Sequence, residues 1–139
     1  MKDIFELQRA QAIPYATTIE VLINKANQLA FKFADDSELA KREIIGFFIS
    51  FPDNGILQSR SNTPLLAASV MNSSYLTLTA HQNDFVKNAP LKMFDVASKP
   101  LLYVPIYSKG LTLRECEIKL GEVLTGTPNF SVQITFIHL

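Results

Sequence analysis

Ile44-Ile45-Gly46-Phe47-Phe48-Ile49-Ser50-Phe51 is an uncharged run with the β-branched and aromatic content of a buried strand. A polar loop containing Pro52-Asp53-Asn54-Gly55 follows it. Ser74-Tyr75-Leu76-Thr77-Leu78-Thr79-Ala80 then alternates apolar and hydroxyl side chains. That alternation sets Leu76 and Leu78 on one strand face and Tyr75, Thr77 and Thr79 on the other. After a polar turn, His81-Gln82-Asn83-Asp84, a third extended segment is expected from Phe85 to Phe94. Strand, loop, strand, turn and strand read as one antiparallel unit that the rest of the chain covers. Ile45, Phe47 and Ile49 share a parity and are the expected core side of its first strand.

Outward from this unit, the alternation weakens but persists. Thr17 to Ala34 reads as two short strands around Asn24-Lys25-Ala26-Asn27. A helical reading competes, because Ile19, Leu22, Ile23, Ala26, Leu29, Ala30 and Phe33 share a helical face and Thr17 and Glu20 have capping-box spacing. Asp35 to Arg42 is a solvated connection, and Leu65 to Met71 forms either a strand or one to two helical turns behind Pro64. Pro105 marks Leu101–Ile106 as an edge strand or a bulged one. From Leu111 to Leu120 the apolar residues change parity near Arg114, which a bulge would explain. Phe130 to Leu139 alternates Val132, Ile134 and Phe136 with Ser131, Gln133 and Thr135, a last strand tied into a sheet. Many short strands between turn signals indicate an all-β sandwich or barrel with little helix.

The chain has 139 residues, 47% hydrophobic, with ten Phe and no Trp. That length suits one domain with a self-sufficient, Phe-rich core. We expect residues 15–139 to form it, with residues 1–14 as an N-terminal arm or edge segment. Thirteen basic and thirteen acidic side chains balance, so no basic surface points to nucleic acid. Met1-Lys2-Asp3-Ile4-Phe5-Glu6 is charged where a signal peptide would be apolar, and no run has the length of a membrane helix. Synthesis in the cytoplasm is the expectation.

Candidate chemistry is sparse. His81 in its turn is read as solvated, and His138 as an edge or interface residue, with no metal-binding spacing between the two histidines. Asp35, Asp36 and Glu38, or Asp53 with Asn54, are the possible calcium ligands. The first group lacks a turn glycine, and the second is a good turn in its own right. Cys116 between Glu115 and Glu117 is disfavoured as a nucleophile. Tyr15, Tyr75, Tyr103 and Tyr107 form either a sugar platform or sandwich-edge and subunit contacts. The expected result is a protein without catalysis, cofactor or metal.

Phe33-Ala34-Asp35-Asp36-Ser37-Glu38-Leu39-Ala40-Lys41-Arg42-Glu43-Ile44-Ile45-Gly46 resembles the entry to the first long strand of small single jelly-roll capsid proteins. Tyr75-Leu76-Thr77-Leu78, the segment Val86-Lys87-Asn88-Ala89-Pro90-Leu91 and the strands Leu111–Leu120 and Phe130–Leu139 follow in similar order. The resemblance is to vertex (penton) or minor capsid proteins of icosahedral bacteriophages, over about residues 30–139; Pro105 and the length of Leu101–Gly110 depart from it. It implies an antiparallel β-sandwich of jelly-roll type in a virion structural protein, assembled in the host cytoplasm. Its partners would be itself, as a homo-oligomer, and other coat proteins. Phe5, Leu7, Leu102, Tyr103 and Tyr107 are the interface candidates. The alternative is a carbohydrate- or ligand-binding sandwich on a receptor-binding appendage.

Overall fold

The computed structural model of the chain describes residues 15–51, 63–95 and 103–139. Its strands are β1 (Tyr15–Ile23), β2 (Ala30–Lys32), β3 (Glu43–Ser50), β4 (Tyr75–Ala80), β5 (Asn83–Pro90), β6 (Val104–Lys109), β7 (Glu117–Lys119) and β8 (Phe130–His138). One short helix, α1 (Ala68–Met71), precedes β4. The strands form two antiparallel four-stranded sheets, ordered β1-β8-β3-β6 and β2-β7-β4-β5. The expected all-β sandwich is therefore present, and the strand reading of Thr17 to Ala34 holds.

The pairing is nested. β1 pairs with β8, β2 with β7, β3 with β6 and β4 with β5, all antiparallel. Each strand of the first half thus meets its mirror position in the second. Among the described residues only β4 and β5 form a hairpin; every other step from strand to strand moves to the opposite sheet. This corrects the single antiparallel unit expected from residues 44–94, because β3 belongs to one sheet and the β4–β5 hairpin to the other. Phe85–Phe94 also ends sooner as a strand: Leu91–Phe94 is a 3₁₀ turn that buries Leu91 and Phe94.

One core joins the sheets. Ile19, Val21 and Ile23 of β1, and Val132, Ile134 and Phe136 of β8, meet Leu76 and Leu78 of β4 and Ile118 of β7. Phe47 lies at the centre, its ring 4.8 Å from that of Phe94 and 6.2 Å from that of Phe136. Burial of this apolar area is the dominant favourable term in the fold. One expected core residue is displaced. Between Ile44 and Gly46 the register of β3 slips against both neighbours, so Ile44 is fully buried while Ile45 is only half-buried. A bulge changes which parity faces inward, and Ile44, Phe47 and Ile49 are the residues that line the core.

The parity change at Arg114 has a different cause from the expected bulge. Leu113–Glu115 is a 3₁₀ turn, and it lets Leu111, Leu113, Cys116, Ile118 and Leu120 all be buried. β7 is only three residues long as a result. Pro105 does lie on an edge strand, since β6 ends its sheet. The strand runs on through Lys109, three residues past the expected Leu101–Ile106 segment.

Candidate functional site

Three connections meet at one end of the sandwich: Asp35–Arg42 between β2 and β3, the tip of the β4–β5 hairpin, and the segment from Gly110 to Glu115. They enclose a cleft of about 430 Å³ lined by Asp35, Asp36, Ser37, Ala40, His81, Leu111, Thr112 and Arg114. That volume is in the range of small-molecule pockets.

Local chemistry fixes each wall. Asp36 Oδ1 accepts the backbone N–H groups of Glu38 at 2.9 Å and Leu39 at 3.2 Å, the side-chain turn that aspartate favours. Leu39 is fully buried and anchors the loop, and its carbonyl accepts the Leu111 N–H. Gly110 has φ +96°, and a Cβ there would collide with the Ala40 carbonyl. A glycine is needed at this point to let the two loops touch. Thr112 N–H donates to the Thr79 carbonyl at 3.0 Å, tying the third wall to β4.

The hairpin tip is made of His81 and Gln82, both left-handed at φ 52° and 68°. Two such residues give the two-residue turn whose twist matches a hairpin, a place usually taken by Asn-Gly. His81 is exposed to solvent, as expected, and its Nε2–H also donates to the Lys109 carbonyl at 3.0 Å. This contact connects the hairpin of one sheet to the edge strand of the other. It leaves the Nε2–H of the ring committed to a backbone acceptor.

The cleft therefore offers one carboxylate not used in capping (Asp35), the Arg114 guanidinium, the hydroxyls of Ser37 and Thr112, and an apolar floor at Leu111. Such a set can bind a polar ligand by hydrogen bonds and charge. Among the described residues no group of three or more His, Cys, Asp or Glu side chains converges. Asp53 and Asn54 lie outside those residues. Glu38 pairs with Arg42 at 3.1 Å on the exposed surface, where such pairs contribute little.

Cys116 is buried, and its pKa is pushed up to about 11, chiefly by burial, with the Glu115 and Asp84 charges adding to the rise and a backbone hydrogen bond at Thr79 opposing it. Sequence reasoning disfavoured this thiol as a nucleophile from its flanking carboxylates, whereas burial is the largest cause of the rise. His138 is not at an edge. It lies on β8, an interior strand, its Nε2 2.8 Å from Thr17 Oγ1 and its ring stacked on Tyr15.

The interface candidates separate. Tyr107 is 60% exposed on the edge strand β6, whereas Tyr103 is buried with its ring over Gly46. A Cβ at Gly46 would overlap that ring, so the glycine is what admits the tyrosine. Phe5, Leu7 and Leu102, and the arm at residues 1–14, lie outside the described residues. The cleft itself was missed by sequence reasoning. Its walls come from three distant segments, and the sole local sign is Gly110 after an apolar edge strand. No tyrosine lines the cleft, so the tyrosine platform weighed from the sequence is not part of it.

Among the described residues, no helix is long and apolar enough to cross a membrane. Comparison with protein families, with curated proteins and with solved structures finds no match to the chain.

Proposed function

We propose that the chain is a virion structural protein, a self-assembling vertex or minor capsid component of a bacteriophage, without catalytic activity. The nested strand pairing carries this reading. Two sheets ordered β1-β8-β3-β6 and β2-β7-β4-β5 are what results when one long antiparallel ribbon is rolled over itself. That supports a jelly roll, an architecture used by viral coat proteins. Exposed Tyr107 on edge strand β6 and a formal net charge of zero favour contact between copies. The partners in this reading are further copies and other coat proteins, joined in the cytoplasm of the host.

The test is the mass of the purified chain by light scattering, alone and with the coat proteins encoded beside it. A closed ring is expected, since copies in a shell meet by rotation. A monomer under both conditions would remove the physical basis of the reading.

The cleft favours a second reading, a ligand-binding sandwich, because jelly rolls also serve as lectins. Asp35 and Arg114 would then orient a polar ligand such as a saccharide over Leu111. Glycan binding that is lost in Arg114→Ala, in a chain that stays monomeric, would favour this second reading over the first.

A further inference from the structure

The ladder between β2 and β7 ends in a wedge of opposite charges. Lys32 and Glu117 are its last pair, and one step on the Phe33 N–H still donates to the Cys116 carbonyl at 3.1 Å. Two residues further along each segment, the same register would set Asp35 opposite Arg114. The segments part before that point. Asp36 turns the first through its bonds to the Glu38 and Leu39 amides, and the 3₁₀ turn Leu113–Glu115 carries the second away. Both Asp35 and Arg114 line the cleft, and among the described residues neither makes an ion pair. A carboxylate and a guanidinium that a continuous sheet would join are held apart on separate walls.

The groups around them are chiefly acceptors. Asp36 spends Oδ1 on its turn and keeps Oδ2. His81 commits its Nε2–H to the Lys109 carbonyl, which makes Nδ1 the acceptor of the neutral ring. The Thr112 hydroxyl can serve either way. Two carboxylates against one guanidinium leave the lining with negative charge and acceptors in excess. A protonated amine suits that excess, because it carries three donors and no acceptor. The guanidinium suits a carboxylate, which it holds in two parallel bonds. The volume of about 430 Å³ admits a sugar ring, whose C–H face matches the apolar floor at Leu111.

We propose that the ligand of the cleft is a zwitterionic saccharide, a sugar bearing both a protonated amine and a carboxylate. Its amine sits against Asp35 and its carboxylate against Arg114. The sugar thus closes the wedge, taking the place of the ion pair that the parting segments do not form. Its hydroxyls have Asp36 Oδ2, His81 Nδ1 and Thr112 as partners. A neutral sugar leaves both wall charges without a counter-charge, and a singly charged one leaves one of them so. The inference rests on the ligand-binding reading of the cleft and names the class of its ligand; the coat-protein reading does not need it.

The experiment is isothermal titration calorimetry on the full chain, with circular dichroism to confirm that each variant is folded. The probes are muramic acid, which has both charges, N-acetylmuramic acid, which lacks the amine, glucosamine, which lacks the carboxylate, glucose, which lacks both, and alanine, which has both without the ring. Muramic acid is expected to bind about tenfold or more tightly than each of the others. Asp35 and Arg114 are exposed, so both can be changed without disturbing the core. Asp35→Asn should erase the preference over N-acetylmuramic acid, and Arg114→Ala the preference over glucosamine. Glu122→Gln, exposed and outside the cleft, should change neither. Equal affinity for muramic acid and alanine overturns the saccharide, and preferences that survive both substitutions overturn the site. Glucose binding as well as muramic acid, with both lost in Arg114→Ala, overturns the zwitterion and leaves the ligand-binding reading standing. Binding by none of the probes overturns the proposal; a glycan array whose hits vanish in Arg114→Ala then keeps the ligand-binding reading, and an array without hits removes that as well.

Discussion

The two sheets are built to different standards. In the sheet β1-β8-β3-β6, β1 and β8 stay in register over nine pairs. β8 is buried on both faces, so that even Ser131, Gln133 and Thr135 are nearly closed off from solvent. In the sheet β2-β7-β4-β5, β7 meets each neighbour over three pairs, and β5 slips twice and is largely exposed. The regular sheet fixes the topology. The irregular one holds two of the three walls of the cleft on its connections, where short strands leave the backbone free to turn. Long continuous ladders favour stability, and broken ladders give access to shape.

The largest expected effect tests whether the regular sheet is the foundation. Phe47 of β3 touches Phe136 across its own sheet and Phe94 beyond it, and it is fully buried. Phe47→Ala should destabilise the fold by about 3–5 kcal/mol, read as a lowered midpoint in urea. A loss under about 1 kcal/mol would show that the core is not centred there.

Next in size is the junction between the sheets. Gly110→Ala forces a left-handed side chain against the Ala40 carbonyl. It should cost about 2–3 kcal/mol and open the cleft by parting Leu39 from Leu111. Greater hydrogen exchange at the Leu111 N–H than at β8 amides is the expected signature. Uniform exchange would mean that the two regions unfold as one.

Much of this contrast was legible in the chain. Leu76 and Leu78, or Val132, Ile134 and Phe136, announce strands because period-two burial leaves its mark on neighbouring residues. Pro105 announced an edge for an equally local reason. The bulge in β3 left no such mark: Ile44 and Ile45 have identical side chains, and only pairing with β6 and β8 decides which one is buried. Tyr103 stands in an apolar segment and read as surface, although its place is set by the missing Cβ of Gly46. The cleft was illegible for the same reason on a larger scale. Asp35, His81 and Arg114 become neighbours only through the fold, and no spacing in the chain encodes that.

Cys116 provides a titration specific to the irregular sheet. Its pKa rises from 9.0 to about 11 on folding, chiefly through burial. Below pH 9 the thiol is protonated in both states and its contribution is fully present. Between about pH 9 and pH 11 the unfolded chain releases the proton first, so stability falls as pH rises. Subtracting the pH profile of Cys116→Ser from that of the unaltered chain should leave this slope alone. A flat difference would place the thiol in contact with solvent.

The smallest effect is expected to be a gain. His81 and Gln82 both hold left-handed conformations at the hairpin tip, which costs a residue with a side chain about 1–2 kcal/mol. His81 has a reason to be there, since its ring donates to the Lys109 carbonyl at 3.0 Å. Gln82 makes no such contact among the described residues, so its side chain brings strain without a compensating bond. Gln82→Gly should relieve that strain. Glycine also loses about 0.4–1 kcal/mol more conformational freedom on folding, so the net gain is about 0.5–1 kcal/mol. It should show as slower hydrogen exchange in β4 and β5, with β1 and β8 unchanged. His81→Gly at the neighbouring position removes the same strain and also the link to β6, and should gain nothing. Equal gains from both substitutions would mean that the histidine contact contributes nothing to joining the two sheets.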